Sequence, residues 1–245
     1  MKSKKVIIAC SVLLIIALLI GIGIIILLGY YGIIPSISKL LKTDKPRDLG
    51  IEVTEEARKY NLEKLGETTT YTEEGTDITI QYFGETKRDV VFNSEQLTTL
   101  ARDVNWKYEP ISDLQIRLGN NGSIEGSGML HVDKIRDYVS KSGGSVEEID
   151  MAIEKFGLSG KSFPFYVQLN LSAEDNEIVW ESQVIEVGRF KVPASTIEPY
   201  KDVIDDLINA RLEQIPNLYI DKIEINDGKV NFVGTTPEYQ VIHKD

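Results

Sequence analysis

Acid–base and nucleophilic chemistry needs a histidine, an activated cysteine or a serine set in a sharp turn, and this chain offers few of them. It has two histidines, His131 and His243, and one cysteine, Cys10. His243 stands in a short polar tail, and His131 closes a predicted hairpin strand, where a lone histidine reads as a surface or hydrogen-bonded residue. No HExxH, no paired cysteines and no His/carboxylate cluster at metal-ligand spacing occur. There is no GxSxG elbow; Ser127, in Gly126-Ser127-Gly128, falls one residue short of it inside a predicted hairpin. No glycine-rich loop with a lysine leads from a strand into a helix, so a phosphate cradle is unsupported. Asp202, Asp205 and Asp206 crowd one face of a predicted helix, but a calcium site draws its oxygens from a loop, and a solvated face is the better reading. The expectation is no enzyme: no catalytic residue, no metal ligand and no cofactor.

Charge narrows the partners. The 245 residues carry a net charge of −11. The first 35 hold Lys2, Lys4 and Lys5 and no acid, so the acidic character belongs to the remainder. Nucleic-acid binding needs a basic footprint that this surface lacks. Val6–Leu28 is a stretch without a charge, long enough at 1.5 Å per residue to cross a bilayer, and the three lysines before it place the N-terminus in the cytoplasm. The run is too long for the apolar region of a cleaved signal peptide. The expected organisation is a cytoplasmic tail at 1–5, a transmembrane helix at 6–28 and a juxtamembrane linker at 29–50. An extracytoplasmic α+β domain follows at 51–237, with a helical insertion at 132–157 and a polar tail at 238–245. Localisation is then a single-pass protein of the cell membrane and cell envelope.

Elements that could position a site follow from periodicity. Thr54 is a plausible N-cap for a helix over Glu55–Leu65, and Asn93 with Gln96 has capping-box spacing before Leu97, Leu100 and Ala101. Thr68–Tyr71 and Thr76–Phe83 read as short strands around Glu73-Glu74-Gly75. Asn121-Gly122 and Asp227-Gly228 are type I′ hairpin signals, since both turn residues need positive φ. At one constant offset, Gly122, Ile124 and Gly128 correspond to Gly228, Val230 and Gly234, a weak internal helix–hairpin repeat. Phe163, Phe165, Val167, Leu169 and Leu171 alternate with polar residues as one long strand, and Ile178–Val187 returns beside it. Ile197, Tyr200, Val203, Ile204, Leu207, Ile208 and Leu212 form a wide apolar stripe, predicting one amphipathic helix over Ile197–Ile215.

The strongest remaining signal is apolar. The striped helix and the strand pair with Phe163, Phe165 and Trp180 could enclose a cavity or an ordinary dry core. Three segments are similar to one group of proteins: Phe92-Asn93-Ser94-Glu95-Gln96-Leu97-Thr98, Val187-Gly188-Arg189-Phe190-Lys191-Val192-Pro193, and Gly234-Thr235-Thr236-Pro237 after a helix and a strand–DG–strand. These resemble tubular lipid-binding-like (TULIP-like) bacterial envelope proteins, including the mannan-elongation-associated and YceB-type lipoproteins. The resemblance implies a long helix cradled by a curved antiparallel sheet, with an apolar groove for a lipid or other amphiphile.

The expected fold is therefore α+β: an N-terminal transmembrane helix, then a curved antiparallel sheet packed on a long amphipathic helix. The expected function is non-catalytic binding of a lipid or other apolar ligand between sheet and helix, by Phe163, Phe165, Trp180, Ile204, Leu207, Ile208 and Phe232. The expected partners are the membrane, through Val6–Leu28, and that ligand. A second reading is a protein-interaction or scaffold module of a membrane complex, with a membrane-protein partner, a dry core and no ligand.

Overall fold

The computed structural model describes residues 35–41, 43–66, 69–72, 80–103, 106–141, 146–147, 150, 162–213 and 215–243. Most of its strands join one twisted sheet. On one side β3 (Thr86–Asn93) pairs with β10 (Lys229–Thr236), and β10 with β9 (Tyr219–Asn226). On the other side β4 (Ile111–Leu118) pairs with β5 (Ser123–His131), and β5 with β6 (Ser162–Glu174). β7 (Glu177–Val187) follows β6 as a hairpin, and the short β8 (Phe190–Lys191) follows β7.

The long strand β6 joins the halves, because two neighbours share one of its edges. β5 pairs with Ser162–Asn170, and β9 takes over at Ala173 and Glu174. Where they change places, the tips of the β4–β5 and β9–β10 hairpins meet. Asn121, Gly122, Asp227 and Gly228 all have positive φ, at 54°, 81°, 48° and 71°. The Gly122 N–H donates to the Ile225 carbonyl at 2.8 Å, and the Gly228 N–H to the Gly119 carbonyl at 3.1 Å. The Leu171 N–H on β6 donates to the Gly122 carbonyl at 2.8 Å. A Cβ on Gly122 would stand 3.2 Å from the Leu171 carbonyl oxygen, so left-handed backbone and close approach both favour glycine there.

Helices close the exposed margins. α1 (Pro35–Leu41) precedes the first extended segment, and α2 (Glu55–Leu65) is capped by the Thr54 hydroxyl, which accepts from the Ala57 N–H. α3 (Ser94–Arg102) starts with a full capping box between Asn93 and Gln96. It lies along β4, whose backbone on that edge would otherwise be open to another strand. Ser94 Oγ accepts from the Leu118 N–H at 2.9 Å. Thr98 Oγ1, fully buried, accepts from the Ile116 N–H at 2.9 Å and donates to the Ile116 carbonyl at 3.2 Å. The Asn61 amide ties α2 to the Gln96 carbonyl of α3. α4 (Val132–Lys141) continues directly from β5.

A second, smaller sheet has the order β1 (Thr69–Thr72), β11 (Tyr239–His243), β2 (Ile80–Phe83). β11 runs parallel to β1 and antiparallel to β2. Ile242, at its centre, has no solvent exposure.

Several expectations are corrected. Ile197–Ile215 is not one long amphipathic helix. The chain makes a single turn, α5 (Ala194–Ile197), then a 3₁₀ turn (Glu198–Tyr200), and only then the 13-residue α6 (Lys201–Glu213). Pro199 lacks an N–H and occludes the preceding turn, which favours this break. No described side chain of α6 is fully buried, so the sheet is not cradled on it; strands dominate the fold. The single-pass anchor and its cell-membrane, extracytoplasmic placement are withdrawn as well. No helix among the described residues is long and apolar enough to cross a membrane, and Val6–Leu28 lies outside them. Even α6 extends only about 20 Å against a hydrocarbon core of about 30 Å. Finally, the residues read as a polar tail include the middle strand of the second sheet. Its apolar Val241 and Ile242 hide in a sequence otherwise polar.

Candidate functional site

One face of the β3–β10–β9 half is apolar because the inward positions of three strands coincide. Register places Phe92 opposite Val230 and Val90 opposite Phe232, while Val230 and Phe232 face Ile225 and Ile223 of β9. Val90, Phe92, Leu118, Ile225 and Val230 form a buried cluster. Tyr60 of α2 packs edge-on against Phe92, with ring centroids 6.4 Å apart, and its hydroxyl donates to the Val91 carbonyl at 2.8 Å.

The cluster does not fill the space in front of it. A groove of about 600 Å³ opens between this face and the surrounding elements. Ile124 and Leu171 extend its floor across the seam between the sheet halves. Leu97 and Leu100 of α3 and Leu65 of α2 form one wall; Ile215 and Leu218, after α6, form another. Tyr82 of β2, Pro237, Tyr239 and Gln240 bring the second sheet to its rim. The volume is that of a small-molecule site, and the predominantly apolar lining with a few polar groups matches such sites. The adjoining recess of about 640 Å³, between α2, α3 and β1, shares Leu65, Leu100 and Gln240 with it. That recess is more polar: Arg58 donates to both carboxylate oxygens of Asp103, at 2.8 and 2.9 Å.

The polar groups of the groove gather at one end. Along β3 the inward residues run Phe92, Val90, Arg88; along β10 they run Val230, Phe232, Gly234, Thr236. Arg88 donates to Thr236 Oγ1 and to the Lys64 carbonyl at the end of α2, each at 3.4 Å. Both are long for hydrogen bonds of a charged group. No carboxylate pairs with Arg88 among the described residues.

Of the residues expected to form the site, only Phe232 lines this groove. Phe163 and Phe165 are half-buried on β6, where Phe165 lies over Gly128; a Cβ there would come within 3.0 Å of its ring. Trp180 is buried, and its indole N–H donates to Asp205 of α6 at 2.5 Å. That contact gives one of the crowded aspartates a structural role. Ile204 and Ile208 are half-buried on α6, and the side chain of Leu207 lies outside the described residues. The residues missed are those of β3 and α3. The available signal was the alternation Arg88, Val90, Phe92 running into the Asn93 cap.

Two of the groups considered for chemistry, His131 and Ser127, are occupied structurally. His131 sits between two hydroxyls, with Ser112 Oγ 2.9 Å from Nε2 and Ser162 Oγ 3.0 Å from Nδ1. A neutral imidazole accepts one such hydrogen bond and donates the other. Neither hydroxyl supplies the charge of a triad carboxylate. Ser127 is fully buried and donates to the Phe165 carbonyl at 3.2 Å.

The opposite face of the β4–β7 half carries a polar network that holds residues 45–51 across it. Arg47 donates to both oxygens of the buried Glu186, at 2.7 and 2.6 Å, and its guanidinium lies 4.3 Å from the Tyr166 ring centroid. The Tyr166 hydroxyl donates to Glu125 at 2.8 Å, and Arg117 grips the same carboxylate with two bonds of 2.9 and 2.7 Å. Gln115 Oε1 accepts from the N–H groups of Leu49 and Ile51. Burial pushes the Tyr166 hydroxyl up, and its bond to Glu125 adds to this, to about 12. Burial also pushes the Glu125 carboxyl up, but the bonds from Arg117 and Tyr166 outweigh it, so Glu125 lies below its usual range.

A depressed carboxyl stabilises the fold above its unfolded value, about 4.3, and that contribution is lost as pH falls through the lower folded value. Denaturant midpoints measured on acidification should therefore fall below about pH 4, and Arg117→Ala should flatten that decline. An unchanged acid profile in the variant would count against the network's role.

No protein-family model matches this chain, no curated protein matches its sequence, and no solved structure matches its fold.

Proposed function

We propose that the protein is a non-catalytic binding module that holds an apolar or amphipathic small molecule in the groove between β3–β10–β9, α3 and the second sheet. One observation carries this reading: about 600 Å³ of space bounded by Phe92, Leu97, Ile223, Phe232 and their apolar neighbours. Burying a ligand's apolar surface there is favourable by roughly 25 cal/mol per Å². The structural occupation of His131 and Ser127 agrees with such a role.

The test uses the full chain, stripped of copurifying lipid, titrated into N-phenyl-1-naphthylamine, a neutral fluorescent probe. Saturable binding of one probe per chain is expected. Leu100→Trp, which places an indole in the groove, should abolish it with the circular dichroism spectrum preserved. Absence of probe binding to the wild-type chain, or equal binding by the variant, would sink the proposal. Wild-type failure together with a stoichiometric crosslinked partner would favour a scaffold with a dry core.

A further inference from the structure

Resting on that reading, we propose that the groove selects a single-chain anionic amphiphile, whose acid head pairs with Arg88 while its tail lies toward Phe92. The observation is a polarity gradient set by strand register. Arg88 and Phe92 are both on the inward face of β3, four residues apart, which is about 13 Å. At the Phe92 end the lining is Val230, Ile225, Ile124, Leu171 and Leu97, with no polar side chain among them. At the Arg88 end, Thr236, Gln240 and Tyr82 enter the lining.

Arg88 is half-buried and brings a permanent positive charge into an apolar site. Its contacts with Thr236 and the Lys64 carbonyl are long, and neither partner carries a negative charge. Those contacts fix the guanidinium at the groove end and leave most of its five donors for other acceptors. The carbonyl at the end of α2 favours a cation there but does not neutralise it. A carboxylate or phosphate monoester matches the guanidinium fork with two parallel hydrogen bonds, which a neutral head cannot do. Gly234, opposite Arg88 on β10, carries no side chain at this end of the groove.

The experiment measures displacement of N-phenyl-1-naphthylamine from the full chain by three ligands of equal tail length: dodecanoate, dodecyl phosphate and 1-dodecanol. It is run at a pH where the acids are ionised, on the wild-type chain, Arg88→Gln and Arg88→Lys. One or both anions should bind about tenfold or more tightly than the alcohol. Arg88→Gln should erase that ratio, and Arg88→Lys should restore part of it. The anion with the larger ratio identifies the head as a carboxylic acid or a phosphate ester. Equal binding of all three by the wild-type chain, or an unchanged ratio in Arg88→Gln, overturns the anion selection while the groove reading stands. Because the readout is a ratio within each variant, a general loss of affinity in Arg88→Gln does not blur it. Failure of every ligand and of the probe on the wild-type chain overturns both proposals.

Discussion

Gly234→Ala is expected to lower the unfolding free energy by about 3 kcal/mol or more, or to prevent folding. A Cβ on Gly234 would stand 2.2 Å from the carbonyl oxygen of Tyr219 and 3.2 Å from its carbonyl carbon. Those atoms are backbone of the neighbouring strand and cannot rotate away like a side chain. The crowding arises where the β9–β10 register shifts between Val233 and Gly234 and the strands close again at Ile220. Gly126→Ala is the internal control. Its Cβ would meet only Cγ2 of Val167, at 3.2 Å, the far end of a side chain, so it should cost about 1 kcal/mol. Urea midpoints on the two variants decide it: equal midpoints would show that the Tyr219 contact relaxes freely.

Ile242→Ala is the second large effect, with an expected loss of about 2–5 kcal/mol. Ile242 has no exposed surface and sits in the strand that hydrogen-bonds to both β1 and β2. Truncation leaves a void in the only described strand those two share. The same change should weaken dodecanol binding, because β11 carries Tyr239 and Gln240 to the groove rim. Val179→Ala, at a residue 64% exposed, should shift stability by no more than about 0.5 kcal/mol. If Ile242→Ala behaved like Val179→Ala under denaturant, the second sheet would not be part of the cooperative unit.

What the sequence made legible was local. The Asn93–Gln96 capping box, the Thr54 cap and the two I′ turns depend on residues within a few positions of one another, and all occur. The alternating run Phe163–Leu171 is indeed part of a long strand. What failed was everything decided at a distance. Hydrophobic periodicity ran straight through Pro199, since a stripe of Ile, Val and Leu does not record where the helix begins. Trp180 promised a groove wall, but a single hydrogen bond to Asp205 ties it to α6 instead. The groove itself depends on register: Arg88, Val90 and Phe92 matter because Gly234, Phe232 and Val230 lie opposite them, and no local pattern contains that pairing. Likewise Thr68–Tyr71 and Thr76–Phe83 read as short strands around a turn signal, but nothing local records that β1 and β2 each pair with β11. One of the two glycine pairs matched by the repeat, Gly128 and Gly234, faces carbonyl oxygens of a partner strand near a register shift in both copies.

The arrangement of β11 also constrains the order of assembly. Gln240 and Thr69, bonded side chain to side chain, are 171 positions apart in sequence. β1 and β2 are made early, yet each must wait for the same late segment before its ladder can close. Contacts of such long range carry the full loop-closure entropy before any pairing rewards it, and they slow folding. Until residues 239–243 emerge and insert, β1 and β2 lack the strand that pairs with both of them, and unpaired strand edges in a nascent chain are prone to misassociation.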